Sequence, residues 1–331
     1  MSNVGRIYLD HAATSPLRPE ARAAMEEGFA LWANPSSPHA EGRKAKQALE
    51  SARDRIKAAL SWHGEVIFTS GASEALAIAL RQSKADRRIV SAVEHDAVFR
   101  AAPDAESFSD DEVLDDRTIL AIQHVNSETG VINPVEKMAQ TIKPTGAVIL
   151  SDCSQSAGKL SLPEADMAVV SAHKFGGPIG VGALLVRDFN LLHPIGGHER
   201  GYRQGTENLP CAMGMAAALD AGEWQTSADQ RAEFAKTLSD HTLTMGDQVD
   251  YIFAITHPTL SAQALLIRLD AKGFAVSAGS ACSSGTLKKS RVLDAFGVAD
   301  DVAARTIRVS LGWNTTQDEL EQFAEAWRSL I

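Results

Sequence analysis

Two consecutive apolar segments, each followed at once by polar residues, constrain the fold of this chain more than any other feature. The segments run over 147–150 and 167–170, and a third apolar run at 181–186 follows directly. Their length and β-branched content predict buried strands. The polar residues that follow are Ser151, Asp152, Cys153, Ser154 and Gln155 in the first case, and Ser171, Ala172, His173 and Lys174 in the second. Because ligands bind at the carboxyl ends of strands in open α/β sheets, we expect an α/β fold with a site at this edge.

Lys174 has two interpretations at the end of such a strand. Its side chain either extends into solvent, as most lysines do, or lies in a crevice where desolvation lowers its pKa and frees the amine for covalent chemistry. The lysine segment alone favours the first. Asp152 and Gln155 change the balance, because a lysine for an aldehyde, an acid for a pyridine nitrogen and an amide for a ring oxygen match pyridoxal phosphate. Ser171 and His173 are then candidates to hold the phosphate.

Five further motifs follow one another along the chain: HVNSETG, DCSQSAGKL, SAHKFGGPIGVGAL, GGHERGYRQGTEN and GSACSSGTLKKSRVL. With YLDHAATSP near the start and RTIRVSLGWNTTQDEL near the end, the set covers nearly the whole chain. In this order they resemble the cysteine desulfurases, the class V branch of the fold type I pyridoxal-phosphate enzymes, and the long last motif resembles the nitrogen-fixation and iron–sulfur housekeeping type. The resemblance implies a large cofactor-binding domain at 16–221 with a mixed, mostly parallel seven-stranded sheet. It also implies a smaller α+β domain, formed by 1–15 and 222–331, that carries a catalytic cysteine loop.

The resemblance also implies roles for residues outside the strand ends. His95, after a predicted strand at 88–93, would stack on the cofactor and move protons. Asn126 would face the cofactor oxygen or the substrate carboxylate, although it is also a typical turn former before Gly130. Lys174 would carry pyridoxal phosphate covalently, with Asp152 at the ring nitrogen.

The phosphate is expected at a glycine turn before the helix predicted at 72–81, where Ala72 and Ser73 present free backbone amides and a hydroxyl. In the resembled family a threonine stands where this chain has Ser73, and an asparagine stands where it has Ala77. Thr206, in the family's RxGT motif, would reach the phosphate of the other subunit, which implies a homodimer.

Cys282 is the candidate nucleophile. A free cysteine is most often a small buried apolar residue, an interpretation that suits Cys153 and Cys211. Cys282 instead lies among glycine, alanine and serines, and Lys288, Lys289 and Arg291 would favour its thiolate if they lie near it. The resemblance implies that Cys282 takes sulfur from L-cysteine as a persulfide and passes it to an acceptor such as a cluster scaffold, with transient contact to an iron–sulfur cluster but no resident metal.

Arg308 stands among apolar neighbours in the predicted strand RTIRVSLGW. A buried arginine requires a carboxylate, which is either an internal acid or a bidentate amino-acid substrate. The resemblance favours the substrate, L-cysteine.

Composition excludes some classes of partner. The net charge of −10 and the pI near 5.5 argue against a general nucleic-acid or anionic-membrane surface. The chain has three cysteines without a CxxC pair, and it has neither an apolar run of membrane-spanning length nor a signal-peptide core in MSNVGRIYLDH. We therefore expect a cytoplasmic protein that binds neither a membrane nor nucleic acid directly.

Two rival functions stay open. The same cofactor site would serve another pyridoxal-phosphate lyase or aminotransferase, such as a selenocysteine lyase, but these do not need Cys282 as a persulfide carrier. A catalytically silent sulfur-transfer partner is the other. Retention of Lys174, Asp152, His95 and Cys282 argues against it, whereas Ala77 and the end of the chain soon after the last predicted helix keep it open. We also expect one helix to run from Cys211 through Leu238, and the acidic stretch 101–117 to be a solvated connection.

Overall fold

The computed structural model describes residues 5–109, 111–278 and 290–331. The chain forms two compact units. The sheet unit comprises 16–125 and 133–222, and the terminal unit combines 1–15, 126–132 and 223–331. The division into domains at 16–221 and at 1–15 with 222–331 stays a prediction, and the units differ from it in grouping 126–132 with the chain ends. No helix of the described residues is long and apolar enough to cross a membrane.

The sheet unit alternates strands and helices. Its strands are β2 (Glu65–Thr69), β3 (Arg87–Val90), β4 (Glu106–Ser107), β5 (Thr118–Gln123), β6 (Val148–Asp152), β7 (Met167–Ser171) and β8 (Gly182–Val186). Its helices are α1 (Pro19–Ala30), α2 (Ala40–Ala59), α3 (Ala72–Arg81), α4 (Asp96–Ala101), α5 (Val135–Ile142) and α6 (Leu209–Ala221). The terminal unit supplies β1 (Ile7–Tyr8), which precedes them in the chain.

The seven strands form one mixed sheet in the order β2-β8-β7-β6-β5-β3-β4. Strand β8 runs antiparallel to both of its neighbours, whereas the pairs from β7 to β4 are parallel. This mostly parallel seven-stranded sheet confirms the predicted fold type I α/β class.

Helices cover both faces of the sheet. In β2, Val66 and Phe68 belong to the core cluster shared with α1, α2 and α6, while Ile67 belongs to the cluster shared with α3 and α4. Strand β7 alternates in the same way, with Val170 in the first cluster and Val169 in the second. A strand buried on both faces needs apolar residues at successive positions, which explains the near-continuous apolar runs of the sequence.

Strands β6 and β7 are parallel neighbours and end at Asp152 and Ser171, so their polar C-terminal residues lie along one edge of the sheet. Strand β5 ends beside them, with Gln123 opposite Asp152. The polar residues that follow the predicted strands therefore lie side by side at the carboxyl ends of β5, β6 and β7.

The terminal unit contains two small sheets and five helices among its described residues. Strand β1 pairs in parallel with β10 (Phe274–Ala275), and β9 (Ile252–Thr256) pairs antiparallel with β11 (Thr306–Ser310). The helices are α7 (Ala228–Thr237), α8 (Ala262–Ala271), α9 (Arg291–Ala295), α10 (Asp300–Ala303) and α11 (Gln317–Arg328).

Two expectations about local structure were wrong. The helix predicted from Cys211 through Leu238 is two helices. Helix α6 ends at Ala221, before Gly222 with its φ of 51°, and α7 begins anew after Ser227, whose side chain takes part in a capping box. The acidic stretch 101–117 is not only a solvated connection, since β4 lies within it and adds an edge strand to the sheet beside β3.

Candidate active site

Lys174 ends a short 3-10 turn, Ala172–Lys174, that follows β7 directly. The turn closes tightly, because Gly177 N–H donates to the Ala172 carbonyl at 2.9 Å. A Cβ added at Gly177 would lie 2.8 Å from the Ala172 Cβ, so the glycine after Lys174 permits this approach. The Lys174 side chain is half-buried at the carboxyl edge.

Asp152 is buried at the last position of β6, with 8% of its surface exposed. Its Oδ1 accepts a hydrogen bond from Ser154 N–H at 2.9 Å, which fixes the carboxylate against the turn that follows the strand. Gln155, in the same turn, is also buried, and so is Ser171 at the end of β7. The sequence placed all three at this edge because each follows its strand within a few residues.

His95 precedes α4 and caps it. Its Nδ1 accepts the Ala97 N–H at 3.1 Å, so the proton of the neutral ring lies on Nε2. Burial lowers the pKa of His95; Asp152 opposes this shift and Lys174 adds to it. These three side chains, here called the strand-end cluster, are thus close enough for their charges to interact. The ring is neutral at neutral pH and can donate a hydrogen bond or a proton from Nε2.

A second basic group lies at the same edge. Burial and the neighbouring Lys174 lower the pKa of Lys159 to about 7. Burial, Lys174 and Lys159 together lower the pKa of His173 to about 4, so His173 is neutral at neutral pH and acts as a hydrogen-bonding group rather than a cation. Sequence reasoning missed Lys159. Its position in DCSQSAGKL, shortly after Asp152, was the available signal.

The turn before α3 has the features expected of an anion site. Gly71 has a φ of 148°, which only glycine adopts easily, and it opens a helix of ten residues. Ser73 is exposed in the first turn of α3, and Ala72 is half-buried. Ala77 packs against the core behind α3, so an apolar contact occupies the position of the family's asparagine.

Asn126 belongs to the terminal unit, where it is buried and organises the turn at 126–130. Its Oδ1 accepts hydrogen bonds from the N–H groups of Glu128 and Thr129, both at 2.9 Å. Asn126 is therefore a turn former, as one of its two interpretations predicted. Since Oδ1 serves the turn, the Nδ2 amide is the group that suits a ligand oxygen.

Arg308 is buried in β11 of the terminal unit. Its Nη2 donates to Asp10 Oδ1 at 2.8 Å, and its Nη1 donates to the Ser127 carbonyl at 2.9 Å. The internal acid considered as an alternative is thus present, and it is Asp10, which sequence reasoning did not single out. The Nε of Arg308 is also buried, and no hydrogen-bond partner for it occurs among the described residues. The guanidinium therefore keeps a donor for a further acceptor.

Thr206 lies away from the strand ends, and the predicted cysteine loop lies mostly outside the described residues. Thr206 is exposed in the loop before α6. Cys282 lies outside the described residues, as do Lys288 and Lys289, whereas Arg291 is exposed at the start of α9. Cys153 is fully buried, and burial raises its pKa to about 12, which makes it inert as a nucleophile.

Known proteins resemble this chain along almost its whole length. The family model described as aminotransferase class-V matches residues 7–113 and 108–323. A cysteine desulfurase IscS of Dictyoglomus turgidum is 32% identical, with 98% of this chain and 94% of the relative covered. A putative cysteine desulfurase IscS 1 of Bacillus subtilis is 33% identical, with 97% of each covered.

Solved structures agree with this. A NifS-like protein from Rickettsia africae superposes with a TM-score of 0.84 at 26% identity, covering 98% of this chain and 99% of the other. A structure titled SspA in complex with cysteine has a TM-score of 0.80 at 27% identity, covering 94% and 100%. The chain therefore belongs to the class V aminotransferase family and, within it, to the pyridoxal-phosphate-dependent cysteine desulfurases.

Proposed function

We propose that this protein converts L-cysteine to L-alanine and receives the sulfur as a persulfide on Cys282, from which an acceptor protein takes it. The observation that carries the proposal is the strand-end cluster of His95, Asp152 and Lys174 at the carboxyl edge of the sheet. We assign the thiol chemistry to Cys282, because Cys153 and Cys211 are both buried.

The donor set at this edge fits pyridoxal phosphate. A buried carboxylate at Asp152 suits a protonated pyridine nitrogen, and the half-buried amine of Lys174 suits a covalent link to the aldehyde. The amides of the turn at 71–73 suit a phosphate, with Ser73, Ser171 and His173 as hydrogen-bonding neighbours. When bound, the cofactor supplies an electron sink that stabilises negative charge at the substrate Cα.

The residues would then divide the work. Asp152 would keep the ring nitrogen protonated, Gln155 would donate to the ring oxygen, and His95 would cover the ring. Lys174, once its amine is free, removes the proton from the substrate Cα. His95 holds or delivers a proton at Nε2, since its Nδ1 is occupied by the Ala97 N–H.

The substrate carboxylate is assigned to Arg308, with the Nδ2 of Asn126 as a second donor. Arg308 is held by Asp10 and by the Ser127 carbonyl, and its Nε has no partner among the described residues. A carboxylate oxygen is the acceptor that such a buried guanidinium donor requires.

The sulfur step conserves electrons within the reactants. The Cys282 thiolate attacks the substrate sulfur, a sulfur–sulfur bond forms, and the carbon–sulfur bond of the substrate breaks. The electron pair of the broken bond stays with the substrate carbon, which takes up a proton and leaves as alanine. A thiol reductant or an acceptor thiol then removes the outer sulfur from Cys282.

We further propose a homodimer in which Thr206 reaches the phosphate bound by the other subunit, and a sulfur-acceptor protein such as a cluster scaffold as partner. The exposure of Thr206 supports the first part. Transient contact of Cys282 with an iron–sulfur cluster and a cytoplasmic location stay predictions.

The test is the formation of alanine from L-cysteine by the purified protein in the presence of a thiol reductant. We expect alanine and sulfide in equal amounts, both lost in Cys282→Ser, while the visible absorbance of the bound cofactor is retained. Unchanged sulfide release by Cys282→Ser would contradict the persulfide and favour another lyase or aminotransferase. A wild-type protein that does not bind pyridoxal phosphate would favour the silent partner.

A further inference from the structure

The loop at 193–208, here called the RxGT loop, is tied to the segment 65–74 by two ion pairs and one backbone hydrogen bond, and to α2 by a third ion pair, all within the sheet unit. Glu199 pairs with Arg53 and also accepts the Phe68 N–H of β2 at 2.7 Å. Arg200 pairs with Glu65 at 2.6 Å. Arg203 Nε donates to Glu74 Oε1 at 3.0 Å. The loop that carries Thr206 is thus held against the strand, turn and helix that form the candidate phosphate site.

The deepest of these pairs is Arg53 with Glu199. Two contacts of 2.9 and 3.1 Å join the guanidinium to the carboxylate, and both side chains are almost fully buried. Glu199 and Arg200 have φ values of 45° and 57°, a left-handed conformation that costs energy in residues other than glycine. Such a backbone persists only when its surroundings enforce it, so the ion pairs set the shape of the loop.

Glu74 has a particular position among these groups. It lies in the first turn of α3, next to Ser73, and its Oε2 accepts the Ser70 N–H at 2.5 Å. Its other oxygen accepts from Arg203. Burial would raise the pKa of Glu74, but the hydrogen bonds from Ser70 and Arg203 outweigh it and hold the pKa below its usual value. One ionised carboxylate therefore joins the phosphate turn to the RxGT loop.

A carboxylate beside a phosphate site repels the ligand unless its charge is compensated. Arg203 supplies the compensating charge, and it stands three residues before Thr206. We propose that Glu74 and Arg203 form a positioning pair that fixes, in one geometry, a subunit's own phosphate turn and the loop it offers to its partner's phosphate. This inference rests on the proposed function, which assigns the phosphate to this turn and Thr206 to the partner's site.

The test compares cofactors with and without the phosphate. Apo-protein is titrated with pyridoxal phosphate and with pyridoxal, and binding is followed by visible absorbance for wild type, Glu74→Gln, Arg203→Gln and the double variant. The matched control is Arg231→Gln in the terminal unit, since Arg231 Nε lies 3.0 Å from Asp250 with similar exposure of both side chains. Thermal melting and ultracentrifugation report folding and oligomeric state.

Each single variant is expected to raise the Kd of pyridoxal phosphate about tenfold, because a charge-assisted hydrogen bond is lost. The Kd of pyridoxal should not change. The double variant should bind pyridoxal phosphate no more weakly than Arg203→Gln, because that single change leaves the Glu74 carboxylate uncompensated whereas the double variant does not. Arg231→Gln should bind both ligands as wild type does.

Three results would contradict the positioning role of Glu74 and Arg203. These are an unchanged Kd for pyridoxal phosphate, an equal rise in Kd for pyridoxal phosphate and pyridoxal, or a double variant whose loss of binding free energy is the sum of the two single losses. If either glutamine variant does not fold, Glu74→Asp and Arg203→Lys take its place, with the same expectations for the two ligands. Failure of the wild-type protein to bind pyridoxal phosphate would instead contradict the proposed function, so the two failures are distinct.

Discussion

The strand-end cluster and the RxGT loop are both polar parts of the sheet unit, but different interactions hold them in place. His95, Asp152 and Lys174 are positioned by the ends of strands and by short turns, with hydrogen bonds that span two or three residues, such as Ser154 N–H to Asp152. The RxGT loop is positioned by ion pairs to residues more than a hundred positions away, such as Arg53 with Glu199.

We therefore expect the strand-end cluster to serve the reaction and the ion pairs of the RxGT loop to serve stability. The strand-end cluster places a histidine of lowered pKa beside a carboxylate and an amine at the carboxyl edge of the sheet. The positions of Asp152 and Lys174 follow from the parallel pairing of β6 and β7. The loop is held by one buried and two partly exposed ion pairs, none of which carries a proton in the proposed reaction. Substitutions in the cluster should therefore abolish activity while the protein stays folded, and substitutions in the loop supports should cost stability first.

The largest effect on activity is expected for Lys174→Ala. Without this amine the covalent cofactor link and the proton transfer at Cα are both lost, so alanine formation should fall by at least about 10³-fold. The urea midpoint of the apo-protein should stay near that of wild type. Measurable turnover within a few-fold of wild type would show that another group does this work, with Lys159 the first to test.

The loop support gives the largest effect on stability. Glu199→Ala leaves the buried Arg53 with only the half-exposed Glu50 as an acidic partner, and it also removes the acceptor of the Phe68 N–H. It should lower the free energy of unfolding by about 3 kcal/mol, measured by urea denaturation. The double variant Arg53→Met with Glu199→Met should be less destabilised than either single change, because no charge remains buried. Arg117→Gln, which breaks an exposed pair with Asp86, is the control and should behave as wild type. Equal stability of Glu199→Ala and this control would contradict the support role.

The same difference explains what could be predicted from the sequence. Asp152 and Lys174 follow apolar runs directly, so their place at the sheet edge is a local property that periodicity reveals. The Arg53–Glu199 and Arg308–Asp10 pairs join residues 146 and 298 positions apart, and nothing in either segment names its partner. The helix break at Gly222 was missed because alanine-rich sequence before it and polar residues after it both suit helices. The role of Cys282, outside the described residues, stays a prediction.

A smaller effect is expected for Arg308 in the terminal unit. Like the ion pairs of the RxGT loop, it bonds a residue that is distant in sequence, Asp10. Like the strand-end cluster, it is proposed to act on the substrate. Arg308→Lys should raise KM for L-cysteine about 10–100-fold with a smaller change in kcat, since a bidentate donor to the carboxylate is lost. Asp10→Asn should raise KM less, because it disturbs only the orientation of the guanidinium. Steady-state kinetics with Arg305→Gln as control would check this, and a fall in kcat at constant KM would contradict it.

The smallest effect concerns pH. His173 has a pKa lowered to about 4, whereas the unfolded chain keeps its ordinary value near 6.5. Protonation therefore favours the unfolded chain, and stability present above pH 6.5 is lost as the pH falls from 6.5 toward 4. The melting temperature of the apo-protein should decline over this range, and His173→Asn should decline less. The exposed His193→Asn is the control, and an identical decline in both variants would contradict the burial of His173.

The most direct test of the central claim is a single-turnover reaction of the cofactor-loaded enzyme with L-cysteine and no reductant. We expect a burst of one alanine per subunit, no free sulfide, and one added sulfur atom on the peptide that contains Cys282, detected by mass spectrometry. Cys282→Ser should give no burst. Continuous alanine formation with free sulfide and an unmodified Cys282 would contradict the persulfide mechanism.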